Sequence, residues 1–234
     1  MLKKLNIPTE SRKIWLMLIC TDALFVFLHV LHFFAPIREA FPVFDLNAFK
    51  ITQDLSMSET FQYVKEFWII LLILGIVIFA KKKIYLPWAL AFGYLLPDDM
   101  LGFHEWAGET LPPLFGLDSH AEMPLGLLAR DYGELAITAT VGLLLTITFF
   151  FAYRNGDSAV RRVYRDMFAL LILLVTFGVG FDFINRFIDS WQMREVVKIF
   201  EEGGEMVTMS TMCWYIFALN ERLLKYSPET MADH

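Results

Sequence analysis

The feature that most constrains this chain is a series of apolar runs too long for an aqueous fold. They occupy 14–35, 67–80 with its flanks, 84–105, 125–153, 167–188 and 196–224. A hydrocarbon layer about 30 Å thick takes ~20 mostly apolar residues in one helix. Inside that layer each backbone N–H and C=O must be satisfied within its own segment, so the runs read as helices. The second run reaches spanning length only when residues 62–66 are included. The first is too long for a signal peptide, and no small-x-small cleavage site follows it. The expectation is an all-α integral membrane bundle of about six transmembrane helices. It forms a single domain over 1–226, with a disordered tail at 227–234.

Composition agrees. Hydrophobic residues make up 56% of the 234, and Phe alone contributes 23, whereas soluble domains lie near 45–50% apolar. A net charge of -6 speaks against a nucleic-acid partner. The expected partners are membrane lipids and other membrane subunits. Cys20 and Cys213 both fall in apolar runs and form no CxxC pair, which suits small core residues rather than a disulfide framework.

Basic residues set the expected orientation, because Lys and Arg concentrate at cytoplasmic ends. Thirteen of the 20 fall on one side if six helices alternate. They are Lys3, Lys4, Arg12 and Lys13 before the first run, and Lys81, Lys82 and Lys83 after the second. Arg154, Arg161, Arg162 and Arg165 lie between the fourth and fifth, and Arg222 and Lys225 end the sixth. Both termini are thus expected in the cytoplasm of a bacterial cell. Residues 36–61 mix Phe41, Phe44, Leu46, Phe49 and Ile51 with polar positions, which suits an amphipathic segment on the membrane surface. Residues 106–124 carry Pro112, Pro113, Gly108 and Gly116, a composition for an irregular lid or a plain connecting loop.

An ionisable side chain at bilayer depth costs several kcal/mol and by default marks a function or a partner. Asp22, His29 and His32 fall in the first run, and Asp98, Asp99, His104 and Glu105 in the third. Asp131 and Glu134 fall in the fourth, Asp182 with Asn185 in the fifth, and Glu201, Glu202 and Glu205 in the sixth. At 1.5 Å per residue most reach one layer in the outer leaflet, with Asp22 deeper. Residues four or seven apart share a helix face, so Asp98, Glu105 and Glu109 are expected to form one stripe. Pro97 removes one backbone hydrogen bond. Gly203 and Gly204 permit close approach or local unwinding.

So many acids cannot all be charged in a low-dielectric layer without protons or cations. Arg130, Arg186, Lys65 and Arg194 can pair with four at most. A divalent metal ion is the simplest compensation, and oxygen ligands with imidazole suit Fe, Mn or Zn. The expected ligand set is His29, His32, Asp98, Asp99, His104, Glu105, Asp131, Glu134, Asp182, Glu201, Glu202 and Glu205. Glu-x-x-His, the motif of di-iron bundles, is missing. Blander roles compete: a solvated helix end for Glu201 and Glu202, an Arg130 ion pair for Asp131, an interhelical hydrogen bond for the histidines.

The DDxxxxHE run at 98–105, the preceding segment 54–62 and the EExxE run at 201–205 together resemble uncharacterised bacterial multi-pass membrane proteins. The matching residues are Asp98, Asp99, His104, Glu105, Glu201, Glu202 and Glu205. That resemblance implies a membrane bundle and assigns no activity. The residues themselves suggest a metal-dependent membrane enzyme, a hydrolase or oxidoreductase acting on a lipid-like or periplasmic substrate. The alternatives are a cation or proton pathway relayed by Asp22, and an accessory subunit of a membrane complex.

Overall fold

The computed structural model describes residues 9–41, 43, 46–53, 55–185 and 187–225. The tail expected at 227–234 lies outside them. Among the described residues the chain is helical and has no strand. The long helices are α1 (Thr9–Phe33), α3 (Met57–Ile78), α4 (Leu86–Leu101), α6 (Ala129–Asn155), α7 (Ser158–Val175) and α9 (Trp191–Lys225). Short helices α2 (Ala35–Ala40), α5 (Phe103–Leu114) and α8 (Phe181–Asn185) join them, and a π-helical turn at Thr176–Gly180 links α7 to α8.

Four helical segments are long and apolar enough to cross a membrane: Ser11–Phe33, Met57–Ile78, Ala129–Asn155 and Ser158–Asn185. Their outward faces carry side chains such as Phe27, Leu71, Leu143, Leu144 and Ile172, all exposed. In water such a surface would drive aggregation. In lipid it is the solvated face. The remaining two long helices depart from that pattern for visible reasons. Helix α4 has 16 residues, about 24 Å at the α-helical rise. Helix α9 has 35 but carries Arg194, Glu195, Lys198, Glu201, Glu202 and Glu205 in its first half.

Helix α9 packs against α1, α3 and α7. Ile69, Ile73 and Ile76 stand at helical spacing on α3 and are essentially inaccessible, as are Met212 and Ile216 on α9. Between helices in lipid there is little hydrophobic driving force, so close packing and hydrogen bonds carry the association. Trp88 of α4 meets Phe149 of α6 and Phe168 of α7 at ring-centroid distances of 4.6 and 5.0 Å. Helices α5 and α6 cross at two glycines, where a Cβ on Gly133 would lie 2.9 Å from Gly108 Cα.

One end of the bundle gathers the basic residues. Ser11 Oγ donates to Glu221 Oε2 at 2.8 Å, joining the start of α1 to the end of α9. Tyr164 of α7 donates to the Ile84 carbonyl beside Lys81–Lys83, at 2.5 Å. Arg161 Nε reaches the Tyr153 carbonyl at 3.3 Å.

Several boundaries differ from those the sequence suggests. The third run does not continue through residue 105. It breaks at Gly102, whose φ of 60° is left-handed, and the chain restarts as α5. Asp98 therefore shares no helix with Glu105 and Glu109. Residues 103–114 are helical rather than irregular. Pro112 and Pro113 fall in the last turn of α5, and their carbonyls accept the Phe115, Gly116 and Leu117 N–H groups that close the helix. Helix α6 begins at Ala129, so Asp131 and Glu134 lie only about 3 and 8 Å along it, shallower than the run at 125–153 implies. Helix α9 stays wound through Gly203 and Gly204. Its second glycine serves close approach instead: a Cβ on Gly204 would lie 2.2 Å from the Phe177 ring.

Candidate functional site

The first turn of α3 fixes one wall of the site. Ser56 is its N-cap, and its Oγ accepts the Glu59 N–H at 3.3 Å. This Ser-x-x-Glu start satisfies a donor that the helix leaves unpaired. It starts α3 ten residues before the apolar run at 67–80 and sets Glu59, Gln62, Tyr63 and Glu66 along one face. The Glu59 carboxylate accepts the Leu55 N–H.

The second wall is the α4–α5 break. Asp98 Oδ1 accepts the His104 N–H at 2.9 Å, and its Oδ2 lies 3.1 Å from His104 Nδ1. A carboxylate at the start of α5 is favoured by the free N–H groups and dipole there. Gly102 makes the turn possible, since a non-glycine residue at positive φ is strained. Asp99 points its carbonyl at Tyr63, whose hydroxyl donates to it at 3.1 Å. The third wall is the upper part of α9 with the π-turn. Glu205 sits close against Gly178, where a Cβ would be 2.7 Å from Glu205 Oε1.

Together these walls enclose a cavity of about 640 Å³. Glu59, Glu66, Asp98, Asp99, Glu105, Glu202 and Glu205 line it, with His104. Among the described residues no Lys or Arg lines it. Of the four bases expected near this level, Lys65 pairs with Asp22 at 3.0 Å. Arg130 approaches Glu109 and Asp131, each at 3.7 Å. Arg194 Nε donates to the Ile188 carbonyl at 2.5 Å. Arg186 lies outside the described residues.

Glu66 is the most confined of the acids that line the cavity, with 2% of its surface accessible. Its carboxyl meets that of Asp99 at hydrogen-bonding range. Two carboxylates offer only acceptors, and Glu66 Oε2 has no donor; Gln62 Oε1, one turn away, has none either. Buried acceptors left so are costly unless something supplies a proton or a cation.

Five of the twelve residues expected as ligands, Asp131, Glu134, His29, His32 and Glu201, do not line the cavity. Asp131 caps α6, its Oδ2 accepting the Leu128 N–H at 2.7 Å. Glu134 packs at the α5–α6 crossing, 3.0 Å from a Cβ on Gly108. His29 is fully buried on α1, and its Nδ1 accepts the Ile51 N–H at 3.2 Å, tethering the segment before α3. His32 is buried nearby, its ring 5.4 Å from Phe33. Glu201 is half-buried on α9 but does not line the cavity. The side chain of Asp182 lies outside what is described. Glu105 lines the cavity but is exposed. Asp98, Asp99, His104, Glu202 and Glu205 do come together around the cavity. Even so, among the described residues no three His, Cys, Asp or Glu side chains stand close enough to hold a metal ion.

Glu59, Gln62 and the Lys65–Asp22 pair belong to this region, though sequence reasoning leaves them out of the ligand set. The Ser56-x-x-Glu59 start was the available signal, because it extends the second helix outward by three turns.

Residues 17–219 match the model of a family described as a domain of unknown function, DUF8692. The match covers most of the chain, which therefore belongs to that family. Neither the curated proteins nor the solved structures include a match.

Proposed function

We propose that this family member is a six-span membrane protein whose acidic cavity binds a cation on the non-cytoplasmic side. The observation that carries the reading is Glu66: a buried carboxylate facing a second carboxylate in a cavity with no described Lys or Arg. Seven acids lining one cavity repel one another, and a bound cation is the most direct relief. The basic end of the bundle, with Lys81–Lys83 and Arg161, lies away from the cavity and would face the cytoplasm. In this reading α4 and α9 are the remaining two spans, and both termini are cytoplasmic.

A divalent metal such as Fe, Mn or Zn is one candidate occupant. His104 with Asp98, or Glu202 with Glu205, would be its first points of attachment. The dispersed acids favour a looser site over a rigid centre, since divalent ions need ligands converging at about 2.0–2.6 Å. That in turn supports binding or sensing above hydrolytic or redox catalysis. A through-membrane pathway draws less support. Below Ser210 the buried residues of α9 include Met212, Trp214, Ile216 and Leu219, and the buried acid at that end, Asp166, already accepts the Tyr215 hydroxyl at 3.1 Å.

The test is a thermal-unfolding panel on the detergent-solubilised protein with mono- and divalent metal ions and organic ammonium ions. At least one cation should raise the melting temperature in a saturable way, because a ligand that binds only the folded state stabilises it. Glu66→Gln and Glu205→Gln should weaken that response and Asp131→Asn should not. A panel with no saturable response would remove the reading. Reporter fusions after Lys83 and after Asn155 should both read cytoplasmic; a periplasmic signal at either would overturn the orientation.

A further inference from the structure

The cavity is far larger than a single ion needs, and its charges are spread over its walls. Glu59 and Glu66 are seven residues apart on α3, so they lie about 10 Å apart along the helix. Glu205 comes from α9 and Asp99 from α4. Apolar side chains share the lining with these acids, among them Leu95, Leu174, Val175, Met206 and Met209, while Gln62 and Tyr63 stand between Glu59 and Glu66 on α3. Separated carboxylates on a wall that is partly hydrocarbon are a poor cage for a metal ion. They match a chain molecule with positive ends and an alkyl middle.

The orphan atoms point the same way. Glu66 Oε2 and Gln62 Oε1 are buried acceptors without donors. An alkylammonium group carries three N–H donors and a full charge, so one such group can serve Glu66, Asp99 and Gln62 together. A metal ion would instead require all of its ligands at one point, and no three of the described side chains provide that. Tyr63, on the same face of α3, offers an aromatic ring to a cation passing it.

We infer that the cavity takes a linear organic cation with at least two ammonium groups, one end held between Glu66 and Asp99 and the other at Glu59. This rests on the cation-binding reading above and narrows it to a ligand class. Recognition is then a matter of charge spacing: a second ammonium finds a second carboxylate, whereas a monoamine leaves that carboxylate uncompensated.

Calorimetric titration of the full chain in nanodiscs tests it, with putrescine, spermidine, n-butylamine, and manganese or zinc chloride as probes. One diamine or triamine should bind at one per chain, at least about tenfold more tightly than n-butylamine, a tenfold step being about 1.4 kcal/mol. Glu66→Gln and Glu59→Gln should each weaken it about tenfold or more, while Glu109→Gln on the outer side of α5 leaves it unchanged. Glu59 stands at the helix start, so its variant keeps the test decisive if the buried Glu66 variant fails to fold. Equal affinity for n-butylamine and the diamine would overturn the two-ended inference. A metal that binds stoichiometrically and is not displaced by any amine would overturn it too, leaving the cation reading intact. No binding by any probe would overturn both.

Discussion

Lys65 Nζ lies 3.0 Å from Asp22 Oδ1, and both side chains are almost wholly inaccessible. Three helices meet at this pair. Lys65 belongs to α3 and Asp22 to α1, while α9 adds Ser210 Oγ at 3.1 Å from the ammonium and the Met206 carbonyl at 3.1 Å. All three ammonium donors are thereby used. Ser210 also donates to Asp22 Oδ2 at 2.5 Å. Both oxygens of Asp22 are thus held by fixed partners, and its charge is already answered.

Removing one member of that pair should destabilise strongly, because it leaves an uncompensated charge in the interior. Lys65→Met is expected to cost about 3–5 kcal/mol. The double variant with Asp22→Asn should recover more than half of it. Chemical unfolding of the two variants in detergent micelles measures both numbers. A double variant no more stable than Lys65→Met would mean that the pair is not the unit holding α1, α3 and α9 together.

His29 is expected to act through backbone tethering. In His29→Phe the buried Ile51 N–H loses its acceptor, which should cost about 1–3 kcal/mol. Hydrogen exchange across residues 46–53 should quicken, and cation binding should stay within twofold of the parent. Lost binding with unchanged exchange would return His29 to the ligand set.

Much of this fold was legible because hydrophobic length is a direct readout of bilayer thickness. Runs 14–35 and 125–153 became α1 and α6 with ends moved by a few residues. Orientation within the site was less legible. Sequence spacing assumes an unbroken helix, so one glycine at 102 was enough to separate Asp98 from Glu105. Depth counted from a run's apolar edge also fails where the helix starts later, which is how Asp131 became a cap at Leu128. Glu66 falls among residues 62–66, which the second run needs to reach spanning length, but nothing in the spacing puts it in the ligand set. Its confinement against Asp99 depends on how α3 and α4 pack, and no spacing rule states that.

The contact between the π-turn and α9 depends on the absence of a side chain. Gly204→Ala would place a Cβ 2.2 Å from the Phe177 ring and should cost about 1–3 kcal/mol by overpacking. Phe177→Ala in the same chain should relieve most of it. Because Gly178 beside Phe177 faces Glu205, the single variant should also weaken cation binding. Thermal melts of the single and double variants, with and without the bound cation, separate the two effects. A neutral Gly204→Ala would show that the π-turn and α9 are not held at this distance.

Gly102 links backbone conformation to the chemistry of the cavity. Its φ of 60° ends α4 and starts α5. The turn lets Asp98 accept the His104 N–H and leaves Glu105 Oε2 3.1 Å from where a Cβ would stand. An alanine here must hold the left-handed region, which costs about 1–2 kcal/mol, and must also push the Glu105 side chain aside. Valine adds β-branching and should cost more. The outcome expected for Gly102→Ala is a modest loss of stability with a larger loss of binding, about tenfold. The wall carrying Asp98, Asp99 and His104 shifts, while the α3–α9 core at Ile69, Ile73 and Met212 does not. Gly102→Asn serves as the control, because asparagine tolerates the left-handed region better than alanine and should retain more stability. If alanine and asparagine lose stability equally, strain at φ is not the cause. If binding survives in both, the α4–α5 wall has no part in holding the cation.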